Sequence, residues 1–200
     1  MHFCAVKKTH HIAIFASGNG SNAENLMKHF QHHSTIKMEL VVCNNENAAV
    51  LQKAQQFSIT SIAVTKDELK TTEKLLPIFE NHKIDFVVLA GFLLQIPTWL
   101  VQKFPNRIIN IHPALLPKFG GKGMFGKFVH EAVINANELE SGISVHFVNE
   151  HYDEGKIIFQ AKCQVDENET AESLAKKIQQ LEHQHLPKIV EQLLVEKEHH

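Results

Sequence analysis

Cysteine is scarce in this chain. Cys4, Cys43 and Cys163 are the only three among 200 residues, and no two of them stand in a C-x-x-C spacing. So few, so scattered, they exclude a disulfide framework and a thiolate zinc site, and they fit a reducing compartment. An excess of one charge sign is lacking too: 20 Lys and Arg stand against 22 Asp and Glu, for a net charge of −2. That balance gives no electrostatic basis for binding nucleic acid or an anionic membrane. The 15 histidines confine this argument to neutral pH, because their protonation would swing the chain positive in mild acid. No apolar run approaches the ~20 residues of a membrane helix. The first ten residues hold no hydrophobic segment with a small-residue cleavage site. No linker, low-complexity stretch or internal repeat is present either. These absences lead to the expectation of a cytoplasmic protein that acts on small molecules, not on nucleic acid or a membrane.

What is present is ordinary globular material, 44% apolar and 21% charged. Its length suits one domain with a substantial core. Short β-branched runs alternate with amphipathic stretches. Strands are expected at His11–Ala16, Met38–Cys43, Ser61–Val64, Asp85–Ala90 and Arg107–Ile111, with helices at about Ala23–His33, Ala48–Gln56 and Asp67–Asn81. Asp85–Ala90 is so continuously apolar after its first residue that it reads as a central strand covered on both faces. The order β-α-β-α implies parallel pairing with right-handed crossovers. After Pro113 a loop rich in Gly, Lys and Phe runs to about Gly126, and a short helix follows near Phe128–Asn137. Strand candidates Gly142–Val148 and Lys156–Val165 suggest an antiparallel hairpin or extension. Thr170–Glu196 has helical spacing, and Pro187 is expected to end or kink it. The fold class is therefore α/β: a Rossmann-like, mostly parallel sheet with flanking helices and an antiparallel C-terminal extension. Within a single domain, about 10–112 forms a Rossmann-like phosphate-binding half, and about 113–196 forms a second half with the terminal helix, expected to carry the co-substrate and the catalysis.

Three motifs carry chemistry. Gly18-Asn19-Gly20-Ser21-Asn22-Ala23 follows the first strand and opens a helix, where glycines permit a sharp turn and free N–H groups meet an anion. The spacing satisfies a loose dinucleotide fingerprint, but the carboxylate expected ~20 residues on is absent. The second strand ends in Asn44-Asn45, and Glu46 comes late. A phosphate monoester, a dinucleotide or a plain β-to-α turn all remain compatible with this motif alone. In the second motif, Asn110-Ile111-His112-Pro113, residues i and i+2 of a strand point the same way. The Asn110 amide and His112 imidazole thus share one space at the C-terminal mouth of a parallel strand, where α/β folds bind ligands. The third, Ser144-Val145-His146-Phe147-Val148 leading to Tyr152-Asp153-Glu154-Gly155, sets an aspartate in a turn, which is commonplace in itself.

Together, and in order, FASGNGSN, VVLAGF, NIHPALLPKF, SGISVHFV, YDEG and a terminal QQLEH resemble the folate-dependent formyltransferases, specifically those acting on glycinamide ribonucleotide in purine synthesis. The resemblance implies formyl transfer from 10-formyltetrahydrofolate to the amine of 5′-phosphoribosylglycinamide, without a metal, in a monomer or homodimer. It implies that Gly20, Ser21 and Asn22 hold the substrate phosphate. Gln179 and Glu182, in the QQLEH segment, would complete the substrate site, with Glu182 on the ribose hydroxyls. Phe92, Leu93, Leu94, Gln95 and Ile96 would line the folate pocket together with Asn110. Asn110, His112 and Asp153 would be catalytic, with His112 the proton donor and Asp153 raising its pKa. The chemistry agrees: two N–H donors can meet the oxyanion that develops on the formyl oxygen. This sequence departs from many members at Leu94, where they carry Arg. No basic residue for the folate tail can be placed in the Lys66–Lys70 region.

A formyltetrahydrofolate hydrolase uses a similar triad, but it usually carries an N-terminal regulatory domain for which a first strand near residue 11 leaves no room. A nucleotide-binding Rossmann module would explain the glycine loop and not the triad. His29 and His33 stand at i, i+4, a spacing that can bind metal, but no acidic or thiol partner is evident in sequence. His199 and His200 receive no role. Trp99 and the phenylalanines are expected in the core, and the charges from Lys66 to Lys74 on a solvated helix face.

Overall fold

The computed structural model describes residues 8–195; Cys4, Glu196, His199 and His200 lie outside the described residues. Its elements run β1 (His10–Phe15), α1 (Ser21–Phe30), β2 (Ile36–Cys43), α2 (Ala49–Gln56), β3 (Thr60–Ala63), α3 (Lys66–Lys70) and α4 (Leu75–Asn81). They continue with β4 (Phe86–Leu89), α5 (Thr98–Lys103), β5 (Ile108–His112), α6 (Lys127–Asn135), β6 (Glu140–Phe147), β7 (Ile157–Gln164) and α7 (Ala171–Val195). Among the described residues the strands form a seven-stranded sheet in the order β3-β2-β1-β4-β5-β6-β7. Pairings from β3 through β5 are parallel, while β6 runs antiparallel to both β5 and β7. This is the α/β, mostly parallel sheet with an antiparallel C-terminal extension that the alternation of the sequence implies.

Successive side chains on a strand face opposite ways, and both faces of this sheet are covered. Ile12 and Ile14 of β1 join a core with Leu26, Val50, Val133 and Ile178 from α1, α2, α6 and α7. Ala13 and Phe15 turn to the other core, built with Leu69, Phe79 and Leu100 of α3, α4 and α5. All four residues of β4 are buried. Burial of each such large side chain stabilises the fold by about 1.5–3 kcal/mol before entropy is counted. The strand order reverses between β1 and β4. Their C-terminal ends therefore open a crevice, the position at which open α/β sheets bind ligands.

Several local expectations are corrected. The helix expected over Asp67–Asn81 is two helices, because Thr71 is extended at φ −110°, ψ 163°. A reciprocal capping box between Thr65 and Glu68 starts α3. Pro77 sits in the first turn of α4, where its missing N–H costs nothing. The charge run is not solely a solvated face, since Lys74 reaches the Ala63 carbonyl and Glu68. Helix α1 starts at Ser21 and stops before His33, whose Nδ1 accepts from the Thr35 and Ile36 N–H groups and turns the chain into β2. Helix α5 has no counterpart in the sequence reading. Trp99 on it is half-buried and donates Nε1–H to the Leu69 carbonyl, 3.0 Å away. Phe125 and Phe128 are exposed, not core.

Pro187 does not end α7, which continues to Val195. The proline ring is buried, and the carbonyl it frees four residues earlier, that of His183, accepts from Asn25 Nδ2 at 2.8 Å. A side chain of α1 thus replaces the missing helical bond.

Candidate active site

Gly20 is in the left-handed region at φ 68°, and a Cβ there would overlap Val50 of α2. Only glycine turns the chain so tightly from β1 into α1. The turn leaves the first N–H groups of α1 without helical acceptors, at the positive end of the helix. Two side chains from α7 close over it. Gln179 Nε2 donates to Ser21 Oγ at 3.0 Å, and Asn22 Nδ2 donates to Glu182 Oε2 at 2.8 Å. Asn22 is 8% exposed and its Oδ1 has no partner, so an acceptor is buried here that a ligand donor could satisfy. Burial raises the Glu182 carboxyl to about 7, against the Asn22 amide. Beneath the loop, Lys53 Nζ holds Asn19 Oδ1 at 3.2 Å and Glu24 at 2.8 Å. Hydrogen bonds from Lys28 and then Lys53 hold Glu24 down to about 2. At the end of β2 an amide replaces the carboxylate of a dinucleotide site: Asn44 Oδ1 accepts from Ser17 Oγ.

Ser17 also accepts from the Leu93 backbone N–H at 2.8 Å, tying the loop after β4 to the loop after β1. Phe92 stacks edge-on against Phe15 at 5.0 Å, and Ile96 is buried. Leu94 packs partly against the core, Leu93 is exposed, and Gln95 Nε2 donates to the Glu150 carbonyl.

Across the crevice, β5 delivers Asn110 and His112, and the turn before β7 delivers Asp153 at φ 57°. Asp153 is a hub. Its Oδ1 accepts from Asn110 Nδ2 at 3.2 Å and its Oδ2 from the Gly121 N–H at 2.9 Å. His112 Nδ1 lies 3.5 Å from Oδ2, and His146 Nε2 lies 3.5 Å from Oδ1. Burial works to raise the Asp153 carboxyl, but the charge of His112 and the Gly121 N–H are among the groups that hold it below the ordinary range. For His112, burial pushes the pKa below that of a free imidazole, while Asp153 and the Phe119 carbonyl pull it up. The expected upward pull of Asp153 is present, and burial outweighs it.

The expected phosphate-loop residues, the Phe92–Ile96 loop, Asn110, His112, Asp153, Gln179 and Glu182 all line one cavity of about 1130 Å³. That exceeds the roughly 300–1,000 Å³ of a site for a single drug-sized ligand. Four residues near it receive no role from sequence: His146, which lies within the third motif, and His130, Gly121 and Lys53. His130 of α6 lines the cavity, is 6% exposed and has an unpartnered Nδ1; burial and then the charge of His112 lower its pKa. His29 and His33 do have an acidic neighbour, Glu191 of α7, at 3.7 and 3.4 Å. His33 Nδ1 accepts backbone N–H groups, so Nε2 carries the proton of the neutral ring and faces Glu191 as a donor, not as a metal ligand. Among the described residues no group of three or more His, Cys, Asp or Glu is placed to hold a metal, and no helix is long and apolar enough to cross a membrane.

Residues 10–190 match the family described as formyl transferase. A chloroplastic phosphoribosylglycinamide formyltransferase of Arabidopsis thaliana is 40% identical over 86% of this chain, and the chain spans 61% of that protein's length. The phosphoribosylglycinamide formyltransferase of Bacillus subtilis is 34% identical over 91% of this chain and 93% of its own. Among solved structures, that of phosphoribosylglycinamide formyltransferase from Anaplasma phagocytophilum superposes with a TM-score of 0.86 at 35% identity, covering 95% of this chain and 89% of the other. The chain belongs to the formyl transferase family.

Proposed function

We propose that this chain transfers the formyl group of 10-formyltetrahydrofolate to the amine of 5′-phosphoribosylglycinamide, releasing tetrahydrofolate, as a step of purine synthesis in the cytoplasm. The observation that carries this reading is the convergence of three sets of groups on one cavity. They are an anion-binding helix start at Gly20–Asn22, an apolar loop at Phe92–Ile96, and the Asn110, His112 and Asp153 cluster between them. In this reading Gly20, Ser21 and Asn22 bind the phosphate, Gln179 and Glu182 complete the ribose side, and Phe92–Ile96 receive the folate. Both halves of the chain, about 10–112 and about 113–196, then contribute to the phosphorylated substrate.

The amine nitrogen attacks the formyl carbon, and negative charge collects on the formyl oxygen. Asn110 and His112 donate to that oxygen. His112 Nε2–H is tied to the Phe119 carbonyl at 2.7 Å, whereas Nδ1 is only loosely held, 3.5 Å from Asp153. Nδ1–H is thus the donor with freedom to turn toward the oxyanion and then protonate the folate nitrogen as its bond to carbon breaks. Asp153 favours the charged ring and takes the amine proton through water. The proton leaving the amine balances the one gained by the folate.

Calorimetry and a spectrophotometric assay for tetrahydrofolate test this reading together. The phosphorylated glycinamide should bind more tightly than NAD, and tetrahydrofolate should form only when that amine is supplied. Tighter binding of NAD, or release that ignores the amine, would refute it.

A further inference from the structure

His146 is 2% exposed, lines the cavity, and stands directly across from Asn110 in the antiparallel pairing of β5 with β6. Its Nδ1 lies 2.9 Å from the Phe147 carbonyl, which can only accept, so Nδ1 carries a proton. In the neutral ring Nε2 is then an acceptor, and it lies 3.1 Å from Asn110 Nδ2. Asp153 Oδ1 lies 3.2 Å from the same nitrogen and 3.5 Å from His146 Nε2. These separations set an angle of about 67° at Nδ2, so the two N–H bonds of the planar amide, ~120° apart, can straddle the pair with one directed roughly toward each acceptor. A flipped amide would press Oδ1 against a carboxylate and a ring lone pair, so the orientation is fixed.

The β6–β7 register shifts between Val145 and His146, with Ile158 of β7 left without a partner. Gly155 packs so closely on the Phe147 carbonyl that a Cβ would overlap it.

We propose that His146 is a positioning residue, whose Nε2 lone pair fixes the orientation of the Asn110 amide beside the site of the formyl group. This rests on the donor role given to Asn110 above. A histidine that merely filled the core would affect stability and leave the balance between turnover and KM alone.

The test is steady-state kinetics of His146→Ala, His146→Phe, His146→Gln, Asn110→Ala and the His146→Ala/Asn110→Ala pair. Loss of the acceptor should lower kcat on the order of 10–100-fold in both His146→Ala and His146→Phe, with both KM values within about two-fold. His146→Gln, whose Oε1 reaches the place of Nε2, should recover most of the loss. The double variant should fall no more than about two-fold below Asn110→Ala, because both changes remove one interaction. Full kcat in His146→Phe would overturn the proposal while leaving the role of Asn110 standing. Full kcat in Asn110→Ala would instead remove the donor reading on which it rests. Should the variants fail to fold, long-range 1H–15N spectra of the unmodified protein decide. The proposal requires His146 protonated at Nδ1 and bare at Nε2, with a scalar coupling from Nε2 to Asn110 Nδ2; a protonated Nε2 overturns it.

Discussion

His112 and Asp153 face one another at 3.5 Å, Nδ1 to Oδ2, while the other ring nitrogen of His112 donates to the Phe119 carbonyl. A carboxylate held below its ordinary pKa can only accept. A bare Nδ1 would therefore meet it lone pair to lone pair. The geometry favours the charged ring, and burial opposes it. Asp153→Asn removes the favouring charge and leaves the burial, so the His112 pKa should fall further. Activity that needs protonated His112 should then be lost at lower pH than in the unmodified enzyme. An unchanged basic limb of the kcat profile would show that Asp153 does not act through His112.

His112→Ala and Asp153→Asn should each lower turnover on the order of 10²–10⁴-fold. Because both serve the same developing charge, the double variant should be little worse than the poorer single. Full multiplication of the two effects in kcat would mean that they act independently. Thorough chelation should leave turnover unaltered, and loss of activity on chelation would point to chemistry these residues do not supply.

Gly20→Val combines an unfavourable φ of 68° with overlap on Val50. It should raise the KM for the phosphorylated substrate strongly and leave folate binding nearly intact, because the loop proposed to bind folate is anchored separately through Ser17 and Leu93. Separate titration of each ligand checks this; equal weakening of both would contradict it.

Leu94→Arg should change the KM for folate more than kcat, since residue 94 lies on the loop assigned to folate binding and not among the groups around the formyl carbon. Equal falls in kcat and kcat/KM would place residue 94 in the chemistry.

Glu182 carries a carboxyl raised from 4.5 to about 7. A folded-state pKa above the unfolded value means that the folded protein binds the extra proton, so this contribution is fully present below 4.5 and lost as pH rises through about 7. Glu182→Gln does not titrate. Its stability relative to the unmodified protein should rise between pH 4.5 and pH 8 by roughly 1–3 kcal/mol, allowing for water in the cavity. Parallel denaturation curves across that range would show that Glu182 ionises normally.

The parts of this site legible from the residues themselves are those set by local periodicity, whereas Asp153, Gln179, Glu182 and the Phe92–Ile96 loop rest on the family resemblance. The i, i+2 placement of Asn110 and His112, the glycine turn before Ser21 and the buried run of β4 each follow from a few adjacent residues. What was not legible depends on pairing between distant segments. His146 reads as an ordinary strand residue until β6 is laid against β5, which puts it opposite Asn110. Lys53 lies 34 positions from Asn19, and only the packing of α2 under the loop brings them together. That α7 does not end at Pro187 is not legible either, because the acceptor freed by the proline is satisfied by Asn25, far away in the chain.

The most direct measurement follows the formyl carbon. With 13C-formyl-labelled tetrahydrofolate and the phosphorylated glycinamide both present, water is always available as a competing acceptor. The label should appear on the glycinamide nitrogen in step with tetrahydrofolate release, and essentially none as formate. Label recovered mainly as formate, at a rate indifferent to the amine, would show a hydrolase and contradict the assignment of the amine as acceptor.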